Sequence, residues 1–158
     1  MTLPRSATLA VALSAALFLV AACGGKDNGS PSAPTPATVN VSGLWSGTYS
    51  SSQLGFGRAT LSLNQSGTAV SGTWTTTPDP GGGSSIGAGT VSGTLTPTGS
   101  TGTSGSLSLR LQPSNPLTCP FQFTGTTGTA TEGRVLVGEW VTVSCTVTAS
   151  GGLILKQT

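Results

Sequence analysis

The sequence predicts an all-β domain that closes as an eight-stranded antiparallel meander barrel or packs as a flattened sandwich. Gly (24 residues), Thr and Ser are abundant, while charged residues make up only 6% of the chain, so helix-forming Glu and Lys are scarce. After residue 40, apolar residues recur at every second position, as they do in strands that bury one face. Turn-forming Gly, Asn and Pro clusters interrupt this alternation at regular intervals, which favours a meander that loses its edges by closing.

Turn chemistry separates eight strand candidates in the predicted domain, 41–158. The runs at 64–67 and 131–133 predict tight hairpins because each contains a Gly that can adopt positive φ, whereas the run at 78–85 predicts a longer loop. No segment between the strands has a helical pattern. The predicted strands are 41–49, 58–65, 69–76, 88–95, 105–112, 119–130, 134–147 and 151–157.

A five-residue pattern of Val, Ser, Gly and a large apolar residue recurs at 41–45, 70–74 and 91–95. Successive side chains of a strand alternate between its two faces, so the Val, the Gly and the last residue share a face. Trp45 and Trp74 are therefore predicted to point into the barrel.

The N-terminal segment 1–22 reads as a leader that is removed. Arg5 lies in a short polar region, 7–20 is apolar, and small residues lead to Cys23. The apolar run is short for a bilayer span, and no cluster of charged residues follows it. The segment Leu19-Val20-Ala21-Ala22-Cys23 resembles the lipobox of bacterial lipoprotein precursors. The resemblance implies cleavage before Cys23, acylation of its thiol and new amine, and a membrane partner bound through those acyl chains.

The segment 23–40 is predicted to be a lipidated Cys followed by a disordered Gly/Ser/Pro linker, because its composition cannot bury a core. Gly24 and Gly25 follow the cysteine, and neither is the Asp that retains many lipoproteins in the inner membrane. We therefore expect the bacterial outer membrane as the location, facing either the periplasm or the cell surface.

The first strand candidate also resembles lipocalin-like and avidin-like barrels. Gly43-Leu44-Trp45 matches the Gly-x-Trp of their first strand, and the strand of Trp74 looks like the second avidin hairpin. The resemblance implies a small barrel that holds a small apolar ligand, with Lys156 lying over Trp45. The candidate ligand-binding residues are Trp45, Tyr49, Trp74 and Glu139; the alternative for the aromatic residues is an ordinary core.

Cys119 and Cys145 are predicted to form a disulfide, since an exported domain meets an oxidising compartment. If 131–133 is a three-residue loop, residues whose numbers sum to 264 face each other, which pairs Cys119 with Cys145. The same register puts Glu139 on the inner face opposite Gly125. Glu139 would then orient a ligand; alternatively, a bulge at Gly138 turns it to solvent and Trp140 inward.

The composition argues against several function classes. The chain has no His, so the Gly-x-Ser-x-Gly run at 83–87 lacks a base and zinc lacks its usual ligands. Six basic against four acidic residues form no patch for nucleic acid. We expect a monomer that is not an enzyme and carries no cofactor. Two hypotheses remain: a ligand-binding barrel, or a solid barrel that is a structural or protein-interaction module contacting an envelope protein. A cavity of several hundred Å³ would favour the former.

Overall fold

The computed structural model describes residues 39–80 and 85–158. The predicted leader, the lipidation site Cys23 and the linker as far as residue 38 lie outside the described residues. The linker and domain boundary at 40/41 lies within them, and Val39 is already 1% exposed. Packing of the domain thus begins at least two residues before 41.

The described chain is all-β and forms a closed barrel in which each strand pairs antiparallel with its neighbours in sequence and β8 pairs with β1. The predicted fold class is confirmed as a closed barrel rather than a flattened sandwich. Every predicted strand overlaps an observed one. The strands are β1 Gly43–Ser51, β2 Gly55–Ser66, β3 Ala69–Pro78, β4 Ala88–Thr98, β5 Ser104–Pro113, β6 Phe121–Ala130, β7 Gly133–Thr142 and β8 Ser150–Gln157.

The barrel has two unlike ends. The short β2–β3 and β6–β7 turns, the β4–β5 connection and the ends of the described chain lie at one of them, here called the hairpin end. The other, here called the loop end, carries the β1–β2, β3–β4, β5–β6 and β7–β8 connections. Gly67, with φ of 61°, opens the two-residue β2–β3 turn, as a type II′ hairpin requires.

Alternate residues of each strand fill the interior with aliphatic and aromatic side chains. Glycine is required where a neighbouring strand comes too close for a side chain. A Cβ added at Gly72 would lie 1.9 Å from the carbonyl oxygen of Ser62 on β2, so no side chain fits there. The largest fully buried side chains are those of Trp45, Tyr49, Phe123, Leu61, Leu63, Leu95, Leu107, Leu109, Leu136, Leu155, Val39 and Val41.

The predicted register of β6 and β7 is wrong by one residue. The loop has two residues, because Ala130 pairs with Gly133, and the pairing runs without interruption from there to Phe121 and Thr142. Side chains alternate with a period of two, so the shift reverses every face on β7. Glu139 consequently pairs with Thr124 and is exposed, while Trp140 is buried. Glu139 thus faces solvent, as the alternative prediction had it. The bulge at Gly138 that this alternative invoked is absent, because the pairing through Gly138 is uninterrupted.

The hairpin end is closed by the entering chain. Val39 and Val41 are buried, and the Gln65 side chain holds both: its Nε2 donates to the Val39 carbonyl at 3.0 Å, and its Oε1 accepts the Val41 N–H at 2.8 Å. The Trp45 indole Nε1 donates to the Val41 carbonyl at 2.8 Å. We call Val39, Val41, Trp45 and Gln65 the plug, because they fill the hairpin end of the barrel. Within the plug, the buried indole N–H of Trp45 has a hydrogen-bond acceptor.

Candidate functional site

A small cavity of about 30 Å³ lies in the barrel interior towards the loop end. Apart from Tyr49 and Thr76, its walls are apolar or aromatic. Thr76 is partly exposed, and Ile86, at 9% exposure, contributes to the lining from the β3–β4 connection. The full lining is Tyr49, Ala59, Leu61, Trp74, Thr76, Ile86, Leu111, Phe121, Phe123, Trp140 and Leu153.

Three aromatic rings stand in series along this cavity. Phe121 meets Trp74 edge to face at 5.8 Å between ring centroids, and it meets Trp140 edge to face at 5.4 Å. Such contacts stabilise a pair of rings by roughly 0.5–1.5 kcal/mol beyond the burial of their area. The indole nitrogens of Trp74 and Trp140 are both buried, and neither has a hydrogen-bond partner among the described residues.

Tyr49 forms another part of the wall. Burial raises the pKa of its phenol above the ordinary value, and the negative charge of Asp79 raises it further. The phenol is therefore neutral at physiological pH.

Only two of the four predicted ligand-binding residues lie together. Tyr49 and Trp74 line the cavity, whereas Trp45 belongs to the plug at the hairpin end. Glu139 lies on the outer face of β7, so it does not reach the interior from there. Our expectation that Trp45 and Trp74 border one cavity is wrong. Trp45 lies near the start of β1 at the hairpin end, whereas Trp74 lies in the middle of β3, closer to the loop end.

Lys156 does not cover Trp45 either. It is exposed on the outer face of β8, where its ammonium pairs with Glu132 in the β6–β7 turn. This contact lowers the pKa of Glu132 through a hydrogen bond and the charge of the ammonium.

Sequence reasoning missed Trp140, Phe121 and Ile86 as parts of one site. Trp140 appeared only in the alternative that turned Glu139 outward. The signal was present in the β6–β7 turn: a two-residue loop at Thr131 and Glu132 would have put Trp140 inward directly.

The predicted disulfide between Cys119 and Cys145 is confirmed, with 6.0 Å between the Cα atoms. It joins the β5–β6 and β7–β8 connections at the loop end. The pairing continues past the strands, because the Val143 N–H donates to the Pro120 carbonyl at 2.8 Å, and on that register Cys119 would face Ser144. Ser144 has a φ of 59°, and this left-handed residue advances the chain so that Cys145 reaches Cys119. The Cys119–Cys145 pair was thus predicted correctly, although the β6–β7 register used to predict it was wrong by one residue.

Large apolar side chains are exposed at the same end. Leu117 is 92% exposed in the β5–β6 connection, Val147 is 70% exposed in the β7–β8 connection, and Phe56 is 65% exposed near the start of β2. The disulfide tethers the first two connections to each other. Leu44, 47% exposed on the outer face of β1, lies near the hairpin end.

The loop with the Gly-x-Ser-x-Gly run is held by structural hydrogen bonds. Ser85 Oγ donates to the Thr76 carbonyl at 2.9 Å, and the Gly87 N–H donates to Ser85 Oγ at 3.1 Å. The hydroxyl that would be the nucleophile thus takes part in fixing the β3–β4 connection.

Within 39–80 and 85–158, no three His, Cys, Asp or Glu side chains cluster as metal ligands. In those same ranges no helix is long and apolar enough to cross a membrane.

Comparison with known proteins finds no family model and no curated protein that matches this chain.

Proposed function

We propose that this chain is a lipid-anchored bacterial envelope protein whose barrel is a non-catalytic module that contacts a protein partner through its outer surface at the loop end. The observation that carries the proposal is the filled interior. A cavity of about 30 Å³ is small beside the roughly 300–1,000 Å³ of sites that enclose a drug-sized ligand. This supports the solid interaction module over a barrel that encloses such a ligand.

The exposed apolar side chains at the loop end indicate where the partner binds. Leu117 and Val147 lie on connections that the disulfide joins, so their positions are restrained before any partner arrives. Restraint in the free protein lowers the entropy lost on binding. Apolar anchors on a restrained scaffold, surrounded by Ser and Thr, fit a protein partner with an apolar pocket and a polar rim.

Along the chain, the proposed anchor precedes the hairpin end, which is the end of the barrel opposite this surface. The chain enters the barrel at the hairpin end, where Val39 is buried, and Cys23 lies 16 residues earlier. Sixteen residues reach at most roughly 55 Å when fully extended. Acyl chains on Cys23 would hold the barrel within that distance of the outer membrane.

The anchor is tested by Cys23→Ser in the native host. Loss of incorporated palmitate, accumulation of uncleaved precursor and loss of the protein from the outer-membrane fraction are expected. Normal processing and outer-membrane recovery of the variant would contradict the anchor, and wild-type protein in the inner membrane would contradict the sorting.

The partner surface is tested by Leu117→Ser/Val147→Ser, with Leu44→Ser as the matched control. All three positions are exposed, so the substitutions should leave stability within about 0.5 kcal/mol of wild type. The size of the complex in gently solubilised envelopes should fall to that of the free chain for the double variant and stay unchanged for the control. The same size in both variants, or a wild-type chain that is always free, would refute the proposal.

A further inference from the structure

The outer face of β2 presents an aromatic ring and a cation close together near the loop end. Phe56 is 65% exposed, and Arg58 is exposed two residues later, so both side chains point outward from the same strand. Asp79 lies beside Phe56, because the Asp79 N–H donates to the Phe56 carbonyl at 3.2 Å just after the end of β3. A carboxylate, a guanidinium and a phenyl ring are therefore neighbours on an exposed surface.

These three side chains border two adjoining grooves that are open to solvent. The first, of about 370 Å³, extends from Phe56 and Asp79 across β1 to β8. The second, of about 480 Å³, lies over β1 and β2 and is bordered by Arg58 and Asp79. Asp79 and Thr48 line both, so the two grooves are continuous, and we call them together the outer groove. Each volume is within the roughly 300–1,000 Å³ of small-molecule sites.

The two charged groups of the outer groove do not pair with each other. Among residues 39–80 and 85–158, the salt bridge between Lys156 and Glu132 is the only one. In that part of the chain neither the Arg58 guanidinium nor the Asp79 carboxylate has a hydrogen-bond partner. An anionic ligand would be attracted by Arg58 and repelled by Asp79, and a cationic ligand would meet the reverse. The groove therefore favours a neutral ligand that both donates and accepts hydrogen bonds.

The rest of the polar lining consists of hydroxyl groups, those of Ser46, Thr48, Ser50 and Thr60 together with the phenol of Tyr49. A sugar ring matches this set, because its hydroxyls can donate to a carboxylate and accept from a guanidinium, which offers five N–H donors. The C–H groups on one face of the same ring can pack on a phenyl ring, whose face carries partial negative charge. A carbohydrate thus uses the aromatic and the polar groups at once.

We propose that the outer groove binds a neutral carbohydrate, with one sugar ring stacked on Phe56 and its hydroxyls bonded to Asp79 and Arg58. Because the groove is open, an oligosaccharide continues along it without entering the filled interior of the barrel. The site does not rest on the proposed partner surface, since neither Leu117 nor Val147 lines the groove.

The rival occupant is a protein that uses Phe56 as an apolar anchor. A few aromatic residues carry much of the binding energy of many protein interfaces. Such an anchor requires burial of the phenyl ring but not the two charged groups beside it. The dependence of binding on Arg58 and Asp79 therefore separates the two occupants.

The test follows the backbone amide signals of the ¹⁵N-labelled full chain during titration with maltotriose, cellotriose or triacetylchitotriose, three neutral trisaccharides. Trigalacturonic acid is the charged control. At least one neutral probe should give saturable shifts at Ser50, Phe56, Arg58 and Asp79. The amide signal of Leu117 should not move, because this residue lies outside the groove.

The polar contacts are tested by Arg58→Gln and Asp79→Asn, which remove a charge and nearly keep the size. Each should weaken binding of the best neutral probe roughly tenfold, as expected for loss of a hydrogen bond to a charged group. Arg110→Gln and Glu139→Gln are the matched controls, since both side chains are exposed and neither lines the groove, and they should stay within about twofold of wild type. Phe56→Leu should weaken binding roughly three- to tenfold through loss of the aromatic face.

The proposal is overturned by the absence of saturable shifts with every neutral trisaccharide, by tighter binding of trigalacturonic acid than of all three, or by equal losses in the variants and their controls. Release of an envelope complex by Phe56→Leu without any response to sugars would assign the groove to a protein. Leu117→Ser/Val147→Ser should leave sugar binding unchanged, so failure of the partner surface and failure of the carbohydrate site are distinguishable.

Discussion

Replacing Trp45 or Trp74 with Phe should have clearly different effects on stability, although the two changes are chemically identical. Both rings are almost fully buried, at 0% and 2% exposure, so both variants lose the same atoms from a packed interior. The packing losses should be similar and largely cancel when the variants are compared. The difference then reports on the hydrogen bonds.

The hydrogen-bond term follows from the partners in the structure. Trp45→Phe removes the donor to the Val41 carbonyl and leaves that carbonyl unsatisfied at the plugged end, which costs roughly 1–3 kcal/mol. Trp74→Phe removes a donor that has no acceptor among the described residues, so no partner is left unpaired there. Trp45→Phe should therefore lower the free energy of unfolding by about 1–3 kcal/mol more than Trp74→Phe.

Guanidinium unfolding followed by circular dichroism measures this difference with the disulfide intact. The double variant is the internal control, because sites at opposite ends should be additive within about 0.5 kcal/mol. Equal destabilisation by the two single changes, or a larger effect of Trp74→Phe, would refute the reasoning. It would mean that the Trp74 N–H has an acceptor in the folded protein in solution.

Other features give further predictions. Replacing both bridged cysteines with Ala should lower the free energy of unfolding by ~3.5 kcal/mol in the chain-entropy model, measured by denaturant unfolding against the oxidised wild type; no loss would contradict a native disulfide. Folding raises the pKa of Tyr49, so the stabilising contribution of its protonated phenol is present below the ordinary pKa of about 10 and is lost as pH rises through the folded pKa. Ultraviolet titration of this single tyrosine should show a lower pKa in the Asp79→Asn variant than in the wild type. An unchanged pKa in that variant would contradict the charge effect of Asp79. Gly72→Ala should destabilise by about 1–3 kcal/mol because its Cβ meets a backbone carbonyl, whereas Gly128→Ala, with open space around the added Cβ, should change thermal stability little; similar midpoints would show that the wall yields easily. Glu139→Gln should leave stability within about 0.5 kcal/mol, since this carboxylate lies on the outer face, and a larger loss would put it in a buried contact.

The sequence was sufficient for the fold class and the order of strands. Alternating apolar residues and Gly-containing turns are local signals, so they locate each strand without reference to the others. The β2–β3 hairpin and the overlap of all predicted strands follow from them, although the turn is formed by Gly67 and Thr68 and the predicted turn residues 64–66 belong to β2. Cys119 and Cys145 could be paired because the sequence has three cysteines and Cys23 was predicted to be the lipidation site, which left one pair.

The sequence left the length of the β6–β7 loop open, so the structure decided what faces the interior on β7, and it also decided which tryptophans share a site. One residue of loop length separates the expected register from the observed one, and because side chains alternate, that single step exchanges Glu139 and Trp140 between solvent and core. Trp45 and Trp74 have the same local pattern, yet one meets a backbone carbonyl and the other lines a cavity. Closure of the barrel determines the neighbours of Trp74, since Phe121 and Leu153 come from strands far from it in sequence and no local signal encodes their distance.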